Sequence, residues 1–180
     1  MALFSKDLGI DLGTMNMRIV AGGQLVLEEP TIAAIVVAEQ KMVEWGKSAQ
    51  DMLGRVPDSI EVTRPLINGV IADYEITAGI LANALQRVGG FVRLFRPTIM
   101  ITIPEGVTSV ERRAVHEAGL QAGSKEAFLI QQPLAAALGV DLPIGTPSGN
   151  MILCMGAGAT QAAVLAMYGV VAGETLRRGG

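Results

Sequence analysis

The sequence predicts an α/β domain carrying a small inserted lobe, and three observations support that prediction. Stretches with strand-like alternation and stretches with helical periodicity follow one another along the 180 residues. Residues 41–65 break the pattern, with Lys41, Glu44 and Trp45 in a polar strand, a short helical stretch from Ser48 to Leu53, and prolines at 57 and 65. The composition is 50% hydrophobic and only 17% charged, enough to bury a substantial core and unlike that of a disordered chain.

Strands are expected over residues 7–11, 16–21, 24–28 and 31–37. Gly22-Gly23 supplies a tight turn between the second and third, and Glu29-Pro30 interrupts the run before the fourth. From Asp73 the apolar set Ile76, Ile80, Leu81, Ala84, Leu85 and Val88 recurs at helical spacing and covers one face until Gly89-Gly90 ends the helix. A strand over 98–103 comes next. Thr108 and Glu111 form a capping box, in which hydroxyl and carboxylate each satisfy a backbone N–H that the first turn leaves open. The helix they open should bury Val107, Val110, Ala114, Val115 and Ala118 and stop at Gly123. A strand over 126–130 leads through Gln131-Gln132-Pro133 into a short alanine-rich helix reaching about Gly139, and a Pro/Gly/Ser loop over 143–149 precedes a last strand pair.

Two glycine turns stand out against this background. Asp11-Leu12-Gly13-Thr14-Met15-Asn16 follows the apolar Leu8-Gly9-Ile10 and leads into Met17-Arg18-Ile19-Val20. Cys154-Met155-Gly156-Ala157-Gly158-Ala159-Thr160 follows Met151-Ile152-Leu153 and leads into Ala162-Ala163-Val164-Leu165, 143 positions further on (154 − 11). The spacing reads as one unit used twice. Glycine tolerates φ > 0 and lets backbone N–H groups come close to a phosphate, so two facing turns of this kind would clamp a polyphosphate from both sides. Gly13, Thr14, Met15 and Asn16 are the candidates in the first turn, and Gly156, Ala157, Gly158, Ala159 and Thr160 those in the second. Asp11 offers a hard carboxylate suited to Mg²⁺, whereas Cys154, at the matching place, offers a soft and mostly neutral thiol.

Other readings fall away. The net charge of −3 and the lack of any Lys/Arg block argue against nucleic acid as the main partner. One cysteine cannot close an internal disulfide and no secretory pattern opens the chain, so a reducing cytoplasm is expected. Apolar runs are interrupted before the ~20 residues of a membrane helix. Gly46-Lys47-Ser48 lacks the leading glycine of a P-loop, since position 41 is Lys. Gly156-Ala157-Gly158 has Gln161 where a dinucleotide fingerprint has its third glycine, and a strand rather than a helix follows. His116 stands alone, without the companions a zinc site needs, and is expected at or near the surface.

The segments 7–14 (DLGIDLGT), 64–74 (RPLINGVIADY), 103–108 (IPEGVT), 111–115 (ERRAV), 120–123 (LQAG) and 129–137 (LIQQPLAAA) resemble, in order and at family spacing, the MreB family of bacterial rod-shape actin homologues. The resemblance implies an actin-like ATPase (ribonuclease H-like) fold. Its first domain would span 1–147, with a small inserted subdomain at about 38–65, and a second domain would begin over 148–180. It further implies ATP and Mg²⁺ bound between the domains, with Asp11 on the metal side and binding weak or incomplete in these 180 residues because the second domain is truncated, and self-assembly into filaments with homologous subunits. The expected setting is cytoplasmic and peripheral, on the inner membrane surface, in company with the cell-wall elongation machinery and in the service of cell shape.

Four positions depart from the family pattern. Gln132, Cys154, Ala157 and Ala159 stand where the family usually has a glutamate, an aspartate, a glycine and a threonine. Gln132 occupies the position of the family's catalytic glutamate, and an amide cannot take a proton from water as a carboxylate can. Each lost positioned group typically costs roughly 10²-fold, so impaired hydrolysis is expected. Two function classes follow: an ATP-binding filament protein slow in hydrolysis, or a nucleotide-independent pseudo-actin scaffold that copolymerises with, or caps, a competent homologue. The stretch Gly90-Phe91-Val92-Arg93-Leu94-Phe95-Arg96-Pro97 resembles the family's membrane-insertion loop, with Leu94 and Phe95 as the anchor. One such pair contributes only ~3 to 6 kcal/mol, so anchoring would depend on filament avidity. The competing role for Phe91 and Leu94 is to cap the preceding helix against the next strand.

Overall fold

A computed structural model of the chain describes residues 7–89 and 96–180. Leu94 and Phe95, the expected membrane anchor, lie outside the described residues. The chain opens on an antiparallel meander of β1 (Leu8–Leu12), β2 (Asn16–Ala21) and β3 (Gln24–Pro30). Alternation decides the faces: Leu8, Ile10 and Leu12 point into the core with Met17 and Ile19, while Asp11 and Arg18 stand opposite one another on the other face.

β4 (Ala33–Val36), β5 (Lys41–Trp45), α1 (Gly46–Asp51) and β6 (Ile60–Thr63) make the lobe, with sheet order β5-β4-β6. The strand expected over 31–37 therefore pairs within the lobe and not with the first three strands. Its burial explains why the sequence does not announce this. Ala33 and Ile35 pack into the main core while Ala34 joins Ile32 and Ala49 in the lobe's own small core, so β4 is apolar on both faces. Glu29 ties the lobe to the body, since its Oε2 accepts from Lys47 N at 2.8 Å and its Oε1 meets Arg87.

A short ribbon of β7 (Leu66–Ile67) and β8 (Val70–Ile71) leads to α2 (Tyr74–Gly89), whose first turn is held by Ile76 N donating to Asp73 Oδ1 at 3.0 Å. β9 (Thr98–Ile103), α3 (Ser109–Gln121) and β10 (Glu126–Gln131) complete the main sheet in the order β10-β9-β1-β2-β3, with β9 parallel to both neighbours. Ile76, Ile80, Leu81, Ala84 and Leu85 of α2 and Val115 and Ala118 of α3 cover Ile99, Ile101 and Ile103. Each fully buried Leu or Ile contributes about 1.5–3 kcal/mol. Gly119 brings α3 close to the sheet, since a Cβ there would lie 2.9 Å from Ile101 Cδ1. The capping box forms as expected. Val110 does not join the buried face: it is 75% exposed, and the buried residues of α3 are Val115, Ala118 and Gly119.

α4 (Gln132–Gly139) then packs on a separate antiparallel sheet of β11 (Asn150–Met155), β12 (Thr160–Ala166) and β13 (Gly169–Leu176), around Ala137, Ile144 and Leu165. Arg177, just past β13, grips Glu111 with two N–H···O bonds of 2.8 and 3.1 Å. That guanidinium, with the Thr108 backbone N–H, lowers the Glu111 pKa from 4.5 to about 2. The folded form thus keeps Glu111 ionised where the unfolded chain would protonate it. The stabilisation is complete above about pH 4.5 and is lost as pH falls from there toward 2. Solvent screening reduces it to about 1 kcal/mol. Arg177→Gln is expected to lower the urea midpoint at pH 7, with a gap to the parent chain that narrows by pH 3. A gap of constant size would remove this pair from the acid response.

Candidate functional site

The two glycine turns share one hydrogen bond. Gly13 N donates to Asn16 O at 3.2 Å, and Gly156 N donates to Ala159 O at 2.9 Å, an offset of 143 at both ends (156 − 13, 159 − 16). A Cβ on Gly13 would sit 2.6 Å from Asn16 O, so the first turn closes only around glycine. Behind it, Thr31 Oγ1 donates to Gly13 O at 2.8 Å, while Met15 O accepts from Thr31 N at 2.9 Å and from Arg64 Nη1 at 3.2 Å. Two carbonyl oxygens of the turn are thereby fastened to the body, the arrangement that leaves N–H groups for an anion.

The turns face each other across a cleft of about 390 Å³, lined on one side by Asp11 through Asn16 and on the other by Met155 through Ala159, with Arg18, Thr102 and Gln132 between them. Thr14 of the first turn is held by the β7–β8 turn, its Oγ1 accepting from Gly69 N at 3.0 Å. A Cβ on Gly158 would lie 2.2 Å from Thr14 Oγ1 and 2.9 Å from Gly69 N. The second turn therefore meets the first only because residue 158 is glycine. Thr160, grouped with the second turn from sequence, is not among the cleft-lining residues, and its hydroxyl donates to Arg178 O at 3.2 Å.

Asp11 and Cys154 occupy matching places in their hairpins with different partners. Asp11 is opposite Arg18, and Cys154 is opposite Gln161. Asp11 Oδ1 accepts from Thr102 Oγ1 at 3.0 Å and its Oδ2 is 3.7 Å from Arg18 Nη1, so the carboxylate is charge-balanced and held while still lining the cleft. Cys154 is half-buried, and that burial pushes its thiol pKa up, keeping it protonated. Neutral Cys154 against neutral Gln161 thus replaces a charged pair. No group of three acidic, histidine or cysteine side chains that could hold a metal occurs among the described residues. A single carboxylate still fits Mg²⁺, which keeps most of its water and is commonly held by one or two carboxylates and its nucleotide's phosphates. Thr31, Arg64, Thr102 and Gln161 support the site without having been singled out from sequence, because each acts through a partner distant along the chain.

The family model described as MreB/Mbl protein matches residues 5–180. The chain belongs to the MreB/Mbl family. It is 42% identical to the cell shape-determining protein MreB of Pasteurella multocida, over 99% of this chain and 52% of that protein. The chain spans about half the length of the curated relatives it matches. Among solved structures it is similar to MreB5 of Spiroplasma citri bound to ADP, with a TM-score of 0.85 at 28% identity over 97% of this chain and 53% of that one. The same protein bound to AMPPNP gives 0.84, covering 96% of this chain and 52% of that one. The MamK double helical filament shares the fold at a TM-score of 0.77 and 19% identity, over 97% of this chain and 55% of that one. This MreB/Mbl-family chain accordingly has the actin-like fold, and no described helix is long and apolar enough to cross a membrane.

Proposed function

We propose that this chain carries the phosphate-gripping part of an ATP-binding cytoskeletal subunit of MreB type, which self-associates into filaments that determine cell shape and hydrolyses ATP slowly. The observation that carries the reading is the pair of glycine turns with one shared hydrogen-bond pattern, set face to face across a single cleft. The S. citri MreB5 structures bound to ADP and AMPPNP, similar along 97% and 96% of this chain, support a nucleotide as the occupant. In this reading Asp11 holds the metal side, the backbone around Gly13–Asn16 and Gly156–Ala159 holds the phosphates, and Mg²⁺ when bound neutralises phosphate charge. Thr102 and Arg18 hold and aim the Asp11 carboxylate. Slow hydrolysis follows from Gln132, Cys154 and Ala159, none of which can accept a proton from water or bring a hydroxyl to it. Attachment to the inner membrane through Leu94 and Phe95, and contact with the cell-wall elongation machinery, extend the reading to partners.

Calorimetric titration with Mg·ATP tests it. Asp11→Ala is expected to weaken binding by ~1.5 to 3 kcal/mol, the loss typical of a charged contact. Equal affinity of the two forms would remove Asp11 from the metal side. Indifference of Mg·ATP binding and assembly to Cys154→Asp with Ala159→Thr, which restore acid and hydroxyl at the second turn, would favour the nucleotide-independent scaffold, to which the neutral Cys154–Gln161 pair is the structural pointer.

A further inference from the structure

Beside the cleft, three side-chain amides and one carboxylate are joined in a line whose polarity is set by the backbone. The Glu105 backbone N–H can only donate, and it donates to Gln161 Oε1 at 2.7 Å. Gln161 Nε2 must then point the other way, where it donates to Gln132 Oε1. Gln161 is only 1% exposed, so neither end of its amide can turn to water instead. Reversing it would set N–H against N–H at Glu105 and leave two buried donors unpaired. Glu105 is itself fixed, with its Oε2 accepting from Gln131 Nε2 and its carbonyl oxygen from Thr175 Oγ1 at 2.8 Å. The oxygen of the Gln132 amide is thus turned to Gln161 on the protein side, and Gln132 lines the same cleft as Asp11 and the two turns. What Gln132 has left to offer the cleft is its nitrogen.

We propose that Gln161 is a positioning residue that holds the Gln132 amide with its N–H donors toward the cleft, so that this point binds an anionic oxygen, the terminal phosphoryl oxygen of a nucleoside triphosphate. The identity of that anion rests on the nucleotide reading above. The residue at 132 has become a grip: two N–H donors stabilise a phosphoryl oxygen where a carboxylate would repel it and activate water. Gln161→Met, which keeps the length of the side chain and removes both polar atoms, frees the Gln132 amide to rotate. Gln161→Glu keeps the bond from Glu105 N and presents a second acceptor to Gln132, whose amide must then reverse and turn its oxygen to the cleft.

Side-chain amide NMR on the 180-residue chain reads each part. In the parent chain the Gln161 NH₂ protons should exchange with solvent at least about tenfold more slowly than those of exposed Gln24. The Gln132 NH₂ resonances should move on addition of Mg·ATP and not on addition of AMP. In Gln161→Met, with the backbone spectrum otherwise retained, that movement should be lost and ATP affinity should fall roughly three- to tenfold. In Gln161→Glu the affinity should fall further. Exchange at Gln161 as fast as at Gln24, or a Gln132 response unchanged in Gln161→Met, overturns the inference. If the Gly13 and Gly156 amides respond to Mg·ATP while Gln132 does not, the nucleotide reading stands and this inference falls. If none of them responds, the nucleotide reading fails and takes the phosphoryl assignment with it.

Discussion

Gln132→Glu, Cys154→Asp and Ala159→Thr introduced together are expected to raise phosphate release from saturating Mg·ATP by roughly 10²-fold or more. The surroundings of two of the three positions are ready for the change. Gln161 Nε2 already donates to the side chain at 132, so a carboxylate there would be received by an existing partner. Cys154 is half-buried at the end of its hairpin strand, matched to Asp11, and would regain the charge its counterpart has. Ala159 is the tight position: it is 6% exposed, and its Cβ lies 3.6 Å from where one on Gly69 would stand, so the added hydroxyl must find room beside the β7–β8 turn. Two added carboxylates, one at the cleft-lining position 132 and one at 154 just before the second turn, raise the local negative charge in the absence of metal. The triple variant should therefore melt below the parent without nucleotide and recover in Mg·ATP. A coupled assay of phosphate release decides the matter. No gain in rate would mean that the cleft differs from that of a hydrolysing relative at more than these three residues, and a parent chain already as fast as such a relative would overturn slow hydrolysis outright.

Gly158→Ala should cost the cleft its closure. The new methyl would lie 2.2 Å from Thr14 Oγ1 and 2.9 Å from Gly69 N, and the latter is backbone with little freedom to retreat. Either Thr14 turns away and gives up its bond from Gly69, or the second turn lifts off the first. Overpacking of this kind costs about 1–3 kcal/mol and the lost hydrogen bond about 1 more. A chain of this size then melts roughly 5–10 °C lower. Mg·ATP affinity should fall along with stability, because the walls of the cleft separate. Gly156→Ala serves as the comparison: a Cβ there meets only Ala159 O, at 3.2 Å, within its own turn. Equal melting temperatures for Gly158→Ala and the parent would show that the turns are not in contact in solution.

The features legible in the sequence were those written in neighbouring residues. Ile76 through Leu85 repeat at helical spacing because they face one sheet, Thr108 and Glu111 cap each other across three residues, and each glycine turn sits between its own two strands. What escaped was settled by partners far along the chain. β4 shows no polar face because it is covered on both sides, and nothing within Ala33–Val36 says which sheet it joins. Val110 satisfied the helical period, yet the period alone does not say where along a helix burial begins, and in α3 the buried residues are Val115, Ala118 and Gly119. Gln161 attracted notice only as a failed glycine, since its meaning lies in the Glu105 N–H, 56 residues away, and in Gln132, 29 away.

β4 is a wall shared by two rooms. Ala33 and Ile35 support the body, Ala34 supports the lobe, and immediately before them Thr31 holds the carbonyl of Gly13. The lobe is for that reason no bead on a string: through β4 and Thr31 it is joined directly to the first glycine turn. On the nucleotide reading proposed above, a load on its outer surface would be delivered one hydrogen bond from Gly13, and a changed grip on a phosphate would travel outward by the same route.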